Sequence, residues 1–333
     1  MRHIPILILC LFLVGCASTA KDEFSQRGFK EVMVPENPII FVPGLGYTGK
    51  FWEKSQTVKS LNRLEWVYGG ELRVKEKNGK IWVEPKKIKR GLFYTVTFSS
   101  SQLAITQQGK ELAEAVKRVK EANQDTKVIL IGHSMGGLAS REYLQSDYYA
   151  NDVAGFISVG TPHRGSNFDL KKPELKLVPK FIRNLKWKVD DKGDAVRDLR
   201  QDSIYLNGGN ETNSPDDYRS KDVNVNGKID DNIYGLNSFQ DKPLPKDVYY
   251  AAIIGSGCPY IATRTQCKIS DGIVKVNSQD LNKVPGVNVE STILTTEKDH
   301  FGEADDSWVI IEALRPLECT QEQLRTMPKM SQG

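Results

Sequence analysis

Ser134 stands among glycines in Gly132-His133-Ser134-Met135-Gly136-Gly137. Val128-Ile129-Leu130-Ile131 runs into it as a buried-strand pattern, and a helical pattern from Met135 to about Gln145 follows. A sharp strand-to-helix turn lifts a serine hydroxyl clear of a sheet, and glycines two before and two after it avoid Cβ clashes. The helix starting there also turns backbone N–H groups toward any negative charge that develops nearby. The chemistry open to such a serine is nucleophilic attack on a carbonyl carbon. It requires a base, an acid to orient that base, and donors for an oxyanion.

The chain has four histidines. His3 lies in the apolar leader, His133 precedes the nucleophile and should point away from it, and His163 follows the Val153–Val159 strand as a structural residue of the pocket wall. His300, in Lys298-Asp299-His300-Phe301 after a strand at 291–296, is therefore the expected base. The acid should lie between Ser134 and His300, and Asp271 in Ser270-Asp271-Gly272-Ile273-Val274 fits, where it would fix the imidazole tautomer. Asp247 and Asp280 are weaker rivals. Of the two oxyanion donors, one is the Met135 N–H, and the other is expected from Pro43-Gly44-Leu45-Gly46, with Leu45 the donor because its flanking glycines admit a substrate.

Positioning these groups takes a sheet. Pro38–Val42 is a continuous apolar run, and Leu72–Val83 carries Asn78-Gly79 between β-rich flanks, a hairpin signal. Further strands are expected at 92–98, 128–131, 153–159 and 249–254, with a helix at 111–122 whose Leu112, Ala115, Val116 and Val119 recur at helical spacing. Strands alternating with helices predict a doubly wound, mostly parallel α/β sheet.

The rhythm stops from 165 to 247, too long for an ordinary connection and so expected to be a lid or cap insertion. Its segment 171–189 mixes apolar residues with seven Lys and Arg and is interrupted by Pro179, which fits either a basic-rimmed lid or a surface packed on the body. Asp222, Asn224, Asn226, Lys228 and Asp230 occupy positions 1, 3, 5, 7 and 9 of an EF-hand-like loop with Gly227 at 6, where position 7 would ligate through its backbone carbonyl. Position 12 is Ile233, which cannot ligate, so the site is incomplete unless Asp231 or a distant carboxylate closes it; the expected ion is a structural calcium, or else the segment is a polar turn. No cofactor is expected for catalysis.

At the N-terminus Arg2 precedes an eleven-residue apolar run, Ile4–Val14, short of the roughly 20 residues a membrane span needs. Leu13-Val14-Gly15-Cys16 resembles a bacterial lipoprotein signal, which implies cleavage after residue 15, lipid on Cys16, a tether at 16–36 and a body at 37–333. The alternative is an ordinary secretory signal cut near Ala17-Ser18-Thr19-Ala20; either implies export. Ala17 rather than Asp resembles the outer-membrane class. With Cys10 lost and Cys16 lipidated, Cys258 and Cys267 are the expected disulfide in an oxidising compartment, and Cys319 is left over from the five. The balanced charge, +4 from 46 Lys plus Arg against 42 Asp plus Glu, excludes a nucleic-acid-binding tail, and no nucleic-acid partner is expected.

Phe41-Val-Pro-Gly-Leu-Gly46, Ile131-Gly-His-Ser-Met-Gly-Gly-Leu138, Gly160-Thr-Pro-His-Arg-Gly-Ser166, Ala195-Val-Arg-Asp-Leu199 and Ser270-Asp-Gly-Ile-Val274 run in the order found in the α/β-hydrolase superfamily. Together they resemble its bacterial lipases and esterases over residues 38–315. The resemblance implies a serine carboxylic-ester hydrolase with ester or lipid substrates; a phospholipase or acyltransferase shares the same triad, and a non-catalytic surface binding protein is the third reading. Two departures stand out. Pro43 replaces the histidine of many lipases, as in lecithin:cholesterol acyltransferase relatives, which leaves the usual brace of the oxyanion loop in doubt. The oxyanion strand also comes early, so the family's first two strands are expected to be absent.

Overall fold

The computed structural model describes residues 34–166, 193–201, 203–208, 235–257 and 269–318. Its strands are β1 (Ile39–Val42), β2 (Tyr68–Lys77), β3 (Lys80–Glu84), β4 (Phe93–Thr97), β5 (Val128–His133), β6 (Val153–Val159), β7 (Tyr249–Gly255) and β8 (Thr292–Thr296). They form one sheet in the order β3-β2-β4-β1-β5-β6-β7-β8, parallel throughout except for the β2–β3 hairpin. The helices are α1 (Lys50–Lys54), α2 (Gln56–Arg63), α3 (Ile105–Ala122), α4 (Met135–Leu144), α5 (Asp194–Asp198), α6 (Ile204–Asn207), α7 (Val276–Gln279) and α8 (Ser307–Leu314).

The apolar runs read from the sequence are the central strands because both faces of this sheet are covered. Ile40 and Val42 of β1 pack with Leu112, Val116 and Leu138 of α3 and α4, while Ile39 and Phe41 pack with Trp52, Leu61, Ile310 and Leu314 of α1, α2 and α8. Successive side chains thus enter opposite layers, which is why no polar residue alternates in β1. Each fully buried Ile or Phe contributes roughly 1.5–3 kcal/mol to holding that strand.

No strand precedes β1 among the described residues, yet the sheet has eight strands. The β2–β3 hairpin, inserted between β1 and β4, fills its outer edge. Asn78 and Gly79 turn it with φ of 54° and 76°, as the Asn-Gly pair demands.

Helix α3 begins six residues before the expected Glu111. Its N-cap is Ala104, which offers no side-chain oxygen, and the cap comes from far along the chain: Asp198 Oδ2 accepts the Ile105 N–H at 2.9 Å. That aspartate belongs to the Ala195–Leu199 motif.

The flanks of the expected insertion return to the body, where Ala195, Leu206, Leu236, Phe239 and Leu244 join the core on the α3–α4 side. The 171–189 stretch, the expected calcium ligands Asp222, Asn224, Asn226, Lys228 and Asp230, the leader with Cys16, and Cys258, Cys267 and Cys319 lie outside the described residues. Among the described residues no helix is long and apolar enough to cross a membrane.

Candidate active site

Ser134 sits between β5 and α4 with φ 54° and ψ −126°, a conformation that costs an ordinary residue about 1–3 kcal/mol. Close packing holds it there. Its N–H donates to Val159 O at 2.8 Å, and a Cβ on Gly136 would fall 2.5 Å from Val42 O. The glycines of the turn therefore let α4 press against the end of β1, which brings the oxyanion loop beside the serine.

The residues expected to act together meet. Ser134 Oγ lies 2.9 Å from His300 Nε2, and His300 Nδ1 donates to Asp271 Oδ2 at 2.7 Å. Asp271 Oδ1 accepts the N–H groups of Ile273 at 2.8 Å and Val274 at 2.6 Å. Burial works to raise the Asp271 pKa, but His300 and these two donors outweigh it and hold the carboxyl below its usual value. The rivals are elsewhere: Asp247 pairs with Lys127 at 2.9 Å on the surface, and Asp280 caps a short turn through the Asn282 N–H.

Leu45 lines the cleft in front of Ser134, and its N–H makes no backbone hydrogen bond among the described residues. Met135 is the first residue of α4, where an N–H has no partner within the helix. With Pro43 in place of a histidine, the loop is braced in other ways. Trp52 Nε1 donates to Val42 O at 3.0 Å, and the Gly46 N–H donates to Ser101 O at 3.1 Å.

The two other described histidines are structural. His163 is fully buried between Ser158 Oγ, 3.1 Å from its Nε2, and Arg141 Nη1, 3.4 Å from its Nδ1; burial and then Arg141 keep it neutral. His133 points away from Ser134 as expected, but it also donates from Nε2 to the backbone oxygen of His300 at 2.6 Å and so fixes His300 from behind. Burial pushes its pKa down to about 3.

Two residues escaped the sequence reading. Gln279 Nε2 donates to Asp271 Oδ2 at 3.0 Å, and its Oε1 accepts the Gly255 N–H at 2.8 Å. Glu303 is fully buried, with Oε2 3.7 Å from His133 Nε2 and 3.9 Å from His300 Nδ1. No aligned donor reaches either of its oxygens, because the adjacent Gly255 N–H is committed to Gln279. Burial, and then the Asp271 charge, raise its pKa well above the usual carboxylate value, which favours the neutral carboxyl. Glycines make the space: a Cβ at Gly160 or Gly255 would fall 1.8 Å from a Glu303 oxygen. The sequence signal was its position three residues after His300.

His133, His300 and Glu303 also form the one group of three metal-ligating side chains close together among the described residues. Both histidines are already hydrogen-bonded, and burial favours the neutral Glu303 carboxyl. In front of Ser134 and His300 opens a cleft walled by Leu45, Tyr47, Pro162, Val196, Leu199 and Phe301. Such a site can activate a serine oxygen, hold an oxyanion and accommodate an apolar group.

Residues 34–234 match the PGAP1-like alpha/beta domain family. A triacylglycerol lipase of Pseudarthrobacter phenanthrenivorans is 34% identical over 143 residues, 43% of this chain and 38% of that protein. One of Burkholderia plantarii is likewise 34% identical over 143 residues, 34% of its own length. The match thus spans little more than a third of these relatives. Among solved structures, the mature form of a Bacillus licheniformis lipase is 17% identical and covers 86% of this chain and 93% of its own, with a TM-score of 0.51. A Listeria innocua gene product is 18% identical over 88% of this chain and 95% of its own, with a TM-score of 0.50. At these identities the likeness concerns the fold, which is the α/β-hydrolase fold.

Proposed function

The chain belongs to the PGAP1-like alpha/beta domain family, and from that premise we propose that it is a serine carboxylic-ester hydrolase of lipase or esterase type, working through an acyl-enzyme. One observation carries the reading: an unbroken Ser134–His300–Asp271 chain, with steps of 2.9 and 2.7 Å, lies under an apolar cleft. The 34% identity to two proteins named triacylglycerol lipase supports an ester substrate.

In this mechanism His300 Nε2 takes the Ser134 proton as Oγ attacks the ester carbonyl. The carbonyl oxygen becomes an oxyanion facing the Leu45 and Met135 N–H groups. Asp271 stabilises the imidazolium without taking its proton. The imidazolium then gives that proton to the departing alkoxide as the carbon–oxygen bond breaks, leaving acyl-Ser134. Water, deprotonated by the same Nε2, attacks the acyl carbon and releases the acid, and Oγ recovers its proton.

The cleft's apolar walls suit an acyl chain, and the acceptor distinguishes hydrolysis from acyl transfer. The test is turnover of p-nitrophenyl esters, triglyceride and phospholipid vesicles by the wild type and by Ser134→Ala. Abolished turnover in a folded variant supports the reading, and unchanged turnover ends it.

Two companion proposals rest on sequence. Export with lipid on Cys16 predicts incorporation of labelled fatty acid that Cys16→Ser loses. Calcium at Asp222, Asn224, Asn226, Lys228 and Asp230 predicts a melting temperature lowered by EDTA; equal melting with and without it rejects the site.

A further inference from the structure

Between Tyr68 and Gly91 there are eight Lys or Arg and three Glu, so this segment carries +5 in a chain whose total is +4. The rest of the chain is nearly neutral. The excess charge belongs to the β2–β3 hairpin and the stretch that follows it.

Register sorts the hairpin into two faces. Val74 pairs with Val83 and Glu76 with Ile81 on the side packed against α3. Arg73, Lys75 and Lys77, opposite Glu84, Trp82 and Lys80, occupy the other side. All four of these cations are exposed, Trp82 is half-buried among them, and the face carries two acids, Glu84 and, nearer the body, Glu71, which accepts from Thr97 Oγ1. None of the four makes an ion pair among the described residues.

Topology sets where this face lies. β2 runs parallel to β4, and its Arg73 pairs with Thr97, the last residue of β4. Residues 74–77 and the turn therefore overhang the carboxyl end of the sheet by about 13 Å, at about 3.3 Å per residue. Ser134 and the apolar cleft lie at that same end, because β5 is parallel to β1 and β1 to β4. Lysines around an aromatic ring, at the end of the sheet where an apolar cleft opens, match a surface that is anionic outside and apolar beneath.

We infer that the β2–β3 hairpin is a docking arm for an anionic lipid bilayer, seated through Arg73, Lys75, Lys77, Lys80 and Trp82 so that the cleft faces the membrane. This deepens the proposed function by naming the surface from which the site draws its substrate. Binding itself needs no chemistry, and Ser134→Ala should dock as the wild type does.

The test is flotation of the full chain with phosphatidylcholine vesicles, with and without 30% phosphatidylglycerol, at low and high salt. The wild type should prefer the anionic vesicles and lose that preference in high salt. Each lysine near such a surface is worth about fivefold in partitioning, so Lys75→Glu/Lys77→Glu/Lys80→Glu should lose about 100-fold or more. Its turnover of a soluble short ester should stay at the wild-type level, which shows the fold intact. Any lipid on the chain acts on both vesicle types alike and cancels in the comparison. Equal binding to both vesicle types, or a triple variant that partitions like the wild type, overturns the inference. So does heparin binding through the same lysines with no preference for anionic vesicles. Normal docking without esterase activity would instead reject the proposed function and leave the arm standing.

Discussion

Glu303→Gln removes one proton-binding site from the deepest part of the triad and nearly preserves its shape. In the folded protein burial and the Asp271 charge disfavour ionisation of Glu303, so it is expected to stay protonated. In the unfolded chain a glutamate has lost its proton above about pH 4.3. Folding at neutral pH therefore requires taking up a proton, and stability falls as pH rises. The sign is that of a group whose pKa is raised on folding: its contribution is complete below the unfolded pKa and is lost as pH climbs toward the folded one. The slope is about 1.4 kcal/mol for each pH unit over which the folded state keeps the proton. Glutamine has no such proton to take up. The difference in unfolding free energy between Glu303→Gln and wild type should thus grow in favour of the variant, by about 1.4 kcal/mol per unit from pH 5.5 upward, while titrations common to both proteins cancel. Urea unfolding of both at half-unit pH steps measures it. A second reading comes from the acid limb of kcat/KM, which the variant should not shift, because no charge next to His300 Nδ1 has been removed. Parallel stability curves, together with an acid limb displaced to lower pH in the variant, would refute the neutral carboxyl.

Three other perturbations probe the same geometry. Asp271→Asn leaves a side chain of equal size but the wrong tautomer on His300, and kcat should fall about 10³–10⁴-fold with little change in KM; a loss below tenfold contradicts its orienting role. Gly136→Ala places a Cβ 2.5 Å from Val42 O and 2.6 Å from Pro43 O, so it must push the oxyanion loop outward. It should cost about 1–3 kcal/mol in chemical denaturation and lower kcat by more than tenfold, and wild-type kinetics would show that the loop has room. Asp198→Ala removes the cap of α3 and should cost about 0.5–2 kcal/mol in the same assay, with turnover on short esters retained.

What the sequence disclosed depended on how locally each feature is determined. The Val128–Ile131 run, the Asn78-Gly79 turn and the glycines around Ser134 are short-range signals, and the structure has a strand, a hairpin and a strained turn there. Scarcity singled out His300, since only three histidines remain after the leader, whereas Asp271 stood out among many aspartates only through its Ser-Asp-Gly-Ile-Val context. Partners brought in from a distance were not legible. The start of α3 depends on Asp198, 93 residues away, and the Glu303 pocket exists because Gly160 and Gly255 end two separate strands beside it. The hairpin was legible, but its overhang at the carboxyl end of β4 comes from pairing register, which a strand's own residues do not specify.

The central claim is that Ser134 is the nucleophile, and labelling the folded protein with a fluorophosphonate tests it most directly. Mass spectrometry should find one adduct per chain, on the peptide containing Ser134, and none on Ser134→Ala or on urea-unfolded protein. An adduct at another residue, or no adduct on a protein that turns over esters, would contradict the assignment.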